Sequence, residues 1–118
     1  MKKNFEKYNI PQGNIMIAFS DKSLSIGTIE IRPGQELKKH NRPVLESLYQ
    51  LEGACLMKIY ESERKVIEKV LKPGDSINIE SKKYHIHSNP FNKNSITLWK
   101  ANGDITEIIK DIRKNSEL

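Results

Sequence analysis

The sequence predicts an all-β barrel or sandwich with one short C-terminal helix. Three observations lead there. Short runs rich in Ile, Val and Thr recur along most of the chain, each ended by a Gly or Pro turn. No gap between them is long enough for the crossover helices of a parallel α/β sheet. Only in the tail does the apolar spacing change from that of a strand to that of a helix.

The runs follow one another closely. Asn14 to Phe19 is short and apolar. Leu24 to Ile31 stops at Pro33-Gly34. Val44 to Leu51 stops at Gly53, and Ala54 to Tyr60 follows at once, so the pair reads as a hairpin around Glu52-Gly53. Lys65 to Leu71 stops at Pro73-Gly74. Ser76 to Ile79, Tyr84 to Ser88 and Ser95 to Trp99 complete the strands. In the tail, Asp104 is placed to cap a helix, with Glu107 three residues on as in a capping box. Ile105, Ile108, Ile109 and Ile112 then share one helical face, which predicts a helix over about 104–114, packed on the barrel or on a partner.

The 118 residues suit one domain, 1–118, with enough chain to bury a core. No apolar run approaches the ~18 residues of a membrane span. The segment Met1 to Lys7 is charged and lacks the apolar stretch of a secretory signal, so a cytoplasmic location is expected. The single cysteine, Cys55, implies no disulfide framework, and a buried, inert thiol is its simplest reading. The net charge of +5 is not gathered into a stripe. Lys and Arg alternate with Glu and Asp, as in Glu61-Ser62-Glu63-Arg64-Lys65, which describes a solvated face rather than a nucleic-acid surface. Neither nucleic acid nor membrane is expected as a partner.

The chain has only three histidines, His40, His85 and His87, and all lie downstream of a Pro-Gly turn. Ile31-Arg32-Pro33-Gly34 leads to His40, and Leu71-Lys72-Pro73-Gly74 leads to His85 and His87, which suggests two equivalent corners of one barrel. Alternate side chains of a strand share a face, so His40 goes with Arg42 and His85 with His87. Glu46 shares its face with Val44, Leu48 and Gln50. A carboxylate among apolar neighbours is costly unless something pairs with it, and a metal ion or Arg42 would do so. Two imidazoles and a carboxylate are also a recognised divalent-metal set with positions open to water or substrate.

These residues resemble the cupin superfamily. Gly34, His40, Glu46 and Gly53 keep the spacing of the first cupin motif, with Arg42 where its second histidine is expected. Gly74, His85 and Asn89 keep the spacing of the second, with Glu80 and Lys82 in place of its usual Pro and Gly; Lys82 suggests an altered turn near the pocket mouth. The resemblance spans residues 34–89 and implies a small single-domain cupin, a double-stranded β-helix or jelly-roll-like barrel. It also implies that His40, Glu46 and His85 are metal ligands, the ion being Zn, Fe, Mn or Ni.

Arg42 breaks the family's ligand set, because a guanidinium stays protonated and cannot ligate a metal. Three arrangements are open: three ligands with waters, His87 as the missing ligand, or Arg42 paired with Glu46 in a metal-free pocket. Facing inward, Arg42 suits a carboxylate or phosphate, with Gln50 and His87 as further ligand-binding candidates. Lys38, Lys39, Lys82 and Lys83 flank the histidines and are simplest read as solvated. The resemblance implies a small-molecule-binding protein with a divalent metal site. It fits a metal-dependent isomerase, epimerase or dioxygenase acting on a small anionic sugar or organic acid. The alternative is a non-catalytic binding or sensor protein. A homodimer is expected, with Phe5 and Tyr8 or the Ile105 to Ile112 face covering exposed sheet edges.

Overall fold

The computed structural model describes residues 5–115. Residues 1–4, on which the reading of the N-terminal segment partly rests, lie outside the described residues, as do 116–118. The strands are β1 (Glu6–Ile10), β2 (Gly13–Ser20), β3 (Ser25–Ile31), β4 (Gln35–Glu36) and β5 (Leu45–Glu52). Then follow β6 (Cys55–Tyr60), β7 (Val66–Leu71), β8 (Ser76–Ile79), β9 (His85–Asn89) and β10 (Ser95–Asn102), before the helix α1 (Thr106–Asn115). They form a six-stranded sheet, ordered β1-β2-β3-β10-β5-β8, and a four-stranded sheet, ordered β4-β9-β6-β7. Every strand pairing is antiparallel. No described helix is long and apolar enough to cross a membrane.

The core lies between the two sheets, where alternation along the strands aims it. β3 turns Ile29 and Ile31 inward, β6 turns Cys55, Met57 and Ile59 inward, and β10 turns Thr97, Trp99 and Ala101 inward. Ile105, just before α1, and Ile109 of α1 join this cluster, both almost fully buried. Covering an isoleucine contributes roughly 1.5–3 kcal/mol, whereas an isolated helix of this length is marginal in water. Tertiary burial therefore holds α1 in place. Asp104 caps it as expected, accepting from the Thr106 backbone N–H at 2.9 Å. Glu107 turns to Lys110 at 3.4 Å.

Two expectations change. Glu52-Gly53 is not a hairpin: β5 pairs with β10 and β8, whereas β6 pairs with β7 and β9. The chain crosses here from one sheet to the other. Gly53 fits the corner because its φ is +62° and a Cβ would lie 2.1 Å from the Asn94 carbonyl oxygen. In addition, Glu6–Ile10 forms an edge strand on β2, joined through Pro11-Gln12.

Candidate metal and anion site

The two corners deliver their histidines to one place. His85 and His87 alternate on β9 and are both buried, facing Ile59 and Met57 of β6 in register. His40 lies outside the named strands but pairs with His85 through its backbone. The His40 N–H donates to the His85 carbonyl at 3.0 Å, and the His85 N–H donates back at 2.8 Å. The three rings stand 4.3 to 5.3 Å apart by centroid. Glu46, inward on β5, faces them from the other sheet. One ligand atom from each of His40, Glu46, His85 and His87 lies within 4.8 Å of all the others.

Hydrogen bonds fix two of the rings. Nδ1 of His40 lies 3.0 Å from the Lys38 carbonyl, and Nδ1 of His85 lies 3.0 Å from the Lys83 carbonyl. A carbonyl only accepts, so each Nδ1 carries the proton and donates, leaving Nε2 with a free lone pair. This backbone anchoring is how metal-ligating histidines are oriented. Burial, followed by the positive charge of Arg42, pushes the His40 pKa down to about 4. Burial, with His40 next in importance, holds His87 well below the usual range. Both imidazoles are therefore neutral near pH 7.

Glu46 Oε1, His85 Nε2 and His87 Nδ1 are the buried side-chain polar atoms among the described residues that lack a hydrogen-bond partner. Glu46 Oε1 and His85 Nε2 are 3.4 Å apart. With Nδ1 protonated, that contact sets one lone pair against another. A cation between them relieves it, and the donor set of imidazoles and carboxylate fits a divalent transition metal.

The site opens into a cavity of about 210 Å³. Arg42 and Lys38 line it beside the cluster, while Trp99, Leu37 and isoleucines of β1, β2, β3 and α1 form the rest of the wall. Arg42 does not pair with Glu46. Its hydrogen bond goes to the Asn41 carbonyl at 3.3 Å, which leaves most of its guanidinium donors for something else. Gln50 is buried but does not reach the cavity: Nε2 donates to Ser95 and the Glu52 carbonyl, and Oε1 accepts from Thr97. Lys83 pairs with Glu61 at 2.8 Å, and Lys39 sits 3.9 Å over the Tyr60 ring. Lys82 adopts φ +67°, a left-handed backbone that is uncommon for residues other than glycine.

No protein-family model matches this sequence, and no curated protein matches it either. Solved structures do. Oxalate decarboxylase of Bacillus subtilis aligns with 84% of this chain at a TM-score of 0.75 and 20% identity. Oxalate oxidase, including a complex with glycolate, aligns with 69% at 0.64 and 20% identity. The chain has the cupin fold. It spans only 28% of the decarboxylase chain and 42% of the oxidase chain. Peruvianin-I, a cysteine peptidase from Thevetia peruviana latex, also aligns, over 69% of this chain and 51% of its own, with a TM-score of 0.63 and 23% identity. One fold thus carries unrelated chemistries, and function has to be argued from the site. In this chain Cys55 is fully buried, its thiol pKa raised chiefly by burial, with Sγ 3.6 Å from Met57 Sδ.

The sequence reading did not include Trp99 or the helix isoleucines in the pocket. Trp99 was discoverable, because it alternates with Thr97 on an inward face. The arrival of Ile108 and Ile112 at the cavity depends on where α1 docks, which no local pattern encodes.

Proposed function

We propose that this cupin binds one divalent metal through His40, Glu46, His85 and His87, and presents it, together with Arg42, to a small anionic molecule. The observation that carries this reading is that ligand atoms of His40, Glu46, His85 and His87 lie within 4.8 Å of one another, while a buried atom of each of Glu46, His85 and His87 has no hydrogen-bond partner. His87 takes the ligand role that Arg42 cannot fill. Arg42, lining the same cavity with donors to spare, binds and orients the anion. When bound, the metal would supply Lewis acidity toward a carbonyl or carboxylate oxygen. The backbone-anchored rings hold their lone pairs inward, and the hydrocarbon wall limits the entry of water.

The activity that fits is a metal-dependent conversion of the isomerase, epimerase or dioxygenase type. Oxalate and glycolate, named with the similar structures, are small carboxylates, and this favours an organic acid over a sugar as substrate. The same reading includes a homodimer. Tyr49 and Leu51 on β5 are exposed and supply an apolar outer face, and Phe5 is exposed too, whereas the helix isoleucines are used within the chain. Light scattering at micromolar concentration should give twice the monomer mass.

The test is metal titration by calorimetry on protein purified without chelator. One site per chain is expected. His85→Ala should lower affinity by more than ~100-fold, since loss of an outer-shell partner alone typically costs 10–100-fold. His87→Ala should lower it at least ~10-fold, whereas a three-ligand site would leave it unchanged. A wild-type protein that binds no divalent metal overturns the proposal.

A further inference from the structure

The cavity is polar at one end only. His40, Glu46, His87, Arg42 and Lys38 supply the polar lining, and the remaining wall is hydrocarbon. A longer dianion such as adipate would set its second carboxylate against this wall, where a charge without a partner is costly. The apolar end is built by α1. Ile105 and Ile109 anchor the helix in the core, while Ile108 and Ile112 stay half-buried over the cavity, facing the Trp99 side. These side chains leave apolar surface that a hydrocarbon chain would cover.

We infer that the ligand is a small monocarboxylate with an aliphatic tail, its head at Arg42 and the metal position and its tail against Trp99, Ile108 and Ile112. The inference rests on the anion-binding reading above and narrows it to a substrate class. At about 210 Å³ the cavity is smaller than the roughly 300–1,000 Å³ of sites for drug-sized ligands, so the tail is short.

Calorimetry on the full chain with acetate, butanoate, hexanoate and adipate, each with and without zinc, tests it. Affinity should rise roughly fourfold per added methylene until the tail fills the cavity, with hexanoate binding more tightly than adipate. Ile112→Phe, which fills the apolar end, should cost more hexanoate affinity than acetate affinity. Arg42→Gln should weaken all the monocarboxylates while keeping the chain-length slope. Should Ile112→Phe fail to fold, the wild-type series decides alone. A flat profile, or adipate as the tightest ligand, overturns the inference. Zinc binding with no chain-length slope sinks the inference and leaves the metal reading standing. A slope without zinc binding sinks the metal reading and leaves the inference standing.

Discussion

The two ends of the cavity are made from opposite materials and held by opposite forces. At the histidine end, polar groups are fixed by backbone hydrogen bonds from β9 and the His40 segment, and three buried atoms remain unpartnered. At the helix end, isoleucines are fixed chiefly by burial, and no polar group is left unsatisfied among the described residues. The first arrangement gives up stability to keep lone pairs available, since an unpaired buried polar atom costs about 1–3 kcal/mol. The second contributes stability and shape. A site that binds a charged head and an apolar tail needs both, and the fold keeps them on separate elements.

That separation predicts that the two ends can be damaged independently. The largest effect on stability is expected from Ile109→Ala. Ile109 is 2% exposed in the core, and truncating a buried isoleucine to alanine costs about 2–5 kcal/mol. Chemical denaturation should show that loss, while metal affinity measured below the unfolding transition stays within a factor of about three of wild type. Metal affinity that collapses along with stability would show that the ends are one cooperative unit.

The sequence made one end legible and left the other largely hidden. His40, Glu46 and His85 are separated by turns and strands whose geometry is local. Pro33-Gly34 and Pro73-Gly74 each precede a histidine-bearing segment. That the three act as one ligand set was implied by the resemblance to the cupin motifs, whose spacing they keep. His87 followed from strand alternation, but choosing it over Arg42 as the fourth member required the distances. The same alternation misplaced Gln50: it points inward, yet Ser95 and Thr97, 45 and 47 residues away, consume its amide. The Glu52-Gly53 corner was misread for a related reason. A tight glycine turn between two strands resembles a hairpin, and which sheet the second strand joins is settled by β7 and β9 later in the chain. β1 escaped notice because Glu6 and Lys7 obscure a short alternation that a neighbouring strand completes.

A second, smaller effect belongs to the histidine end and has a definite sign. His40 titrates near 4 in the folded chain, mainly because of burial, and His87 is also held low by burial. In the unfolded chain both return to about 6.5. The folded state therefore binds fewer protons, and the stability these groups contribute is complete above about pH 6.5 and is lost as pH falls toward 4. By pH 5 the loss should be about 2 kcal/mol for His40, from one and a half pH units at about 1.36 kcal/mol each. Metal-free protein should melt at a constant temperature from pH 7 to 8 and progressively lower from 6.5 to 5, a range above most carboxylate titration. Replacing His40 and His87 together with Asn should flatten that slope. Ile109→Ala should shift the whole curve down without changing its shape. Added metal should steepen the acid limb, because protons compete for the same lone pairs. An unchanged slope in the double variant would mean that the acid sensitivity arises elsewhere.

The smallest effect tests whether the helix end has any polar latch. Arg113 of α1 forms a two-pronged pair with Glu6 of β1, Nε to Oε1 at 2.7 Å and Nη2 to Oε2 at 2.8 Å, and the Tyr8 hydroxyl donates to the same carboxylate at 2.6 Å. The geometry is good, and Arg113, followed by Tyr8 among the hydrogen-bonding side chains, holds the Glu6 carboxyl below its usual range. Both partners are nevertheless well exposed, at 44% and 36%. Water screens such a pair, and exposed bridges are typically worth about 0.2–1 kcal/mol. Arg113→Ala should therefore cost no more than about 1 kcal/mol, and the difference from wild type should vanish in 1 M salt, where screening acts within about 3 Å. Amide exchange should quicken in α1 but not in β9, since only the helix end loses a tether. If the variant instead loses more than about 2 kcal/mol, or its deficit persists in high salt, the ion pair rather than isoleucine burial is what docks the helix over the cavity.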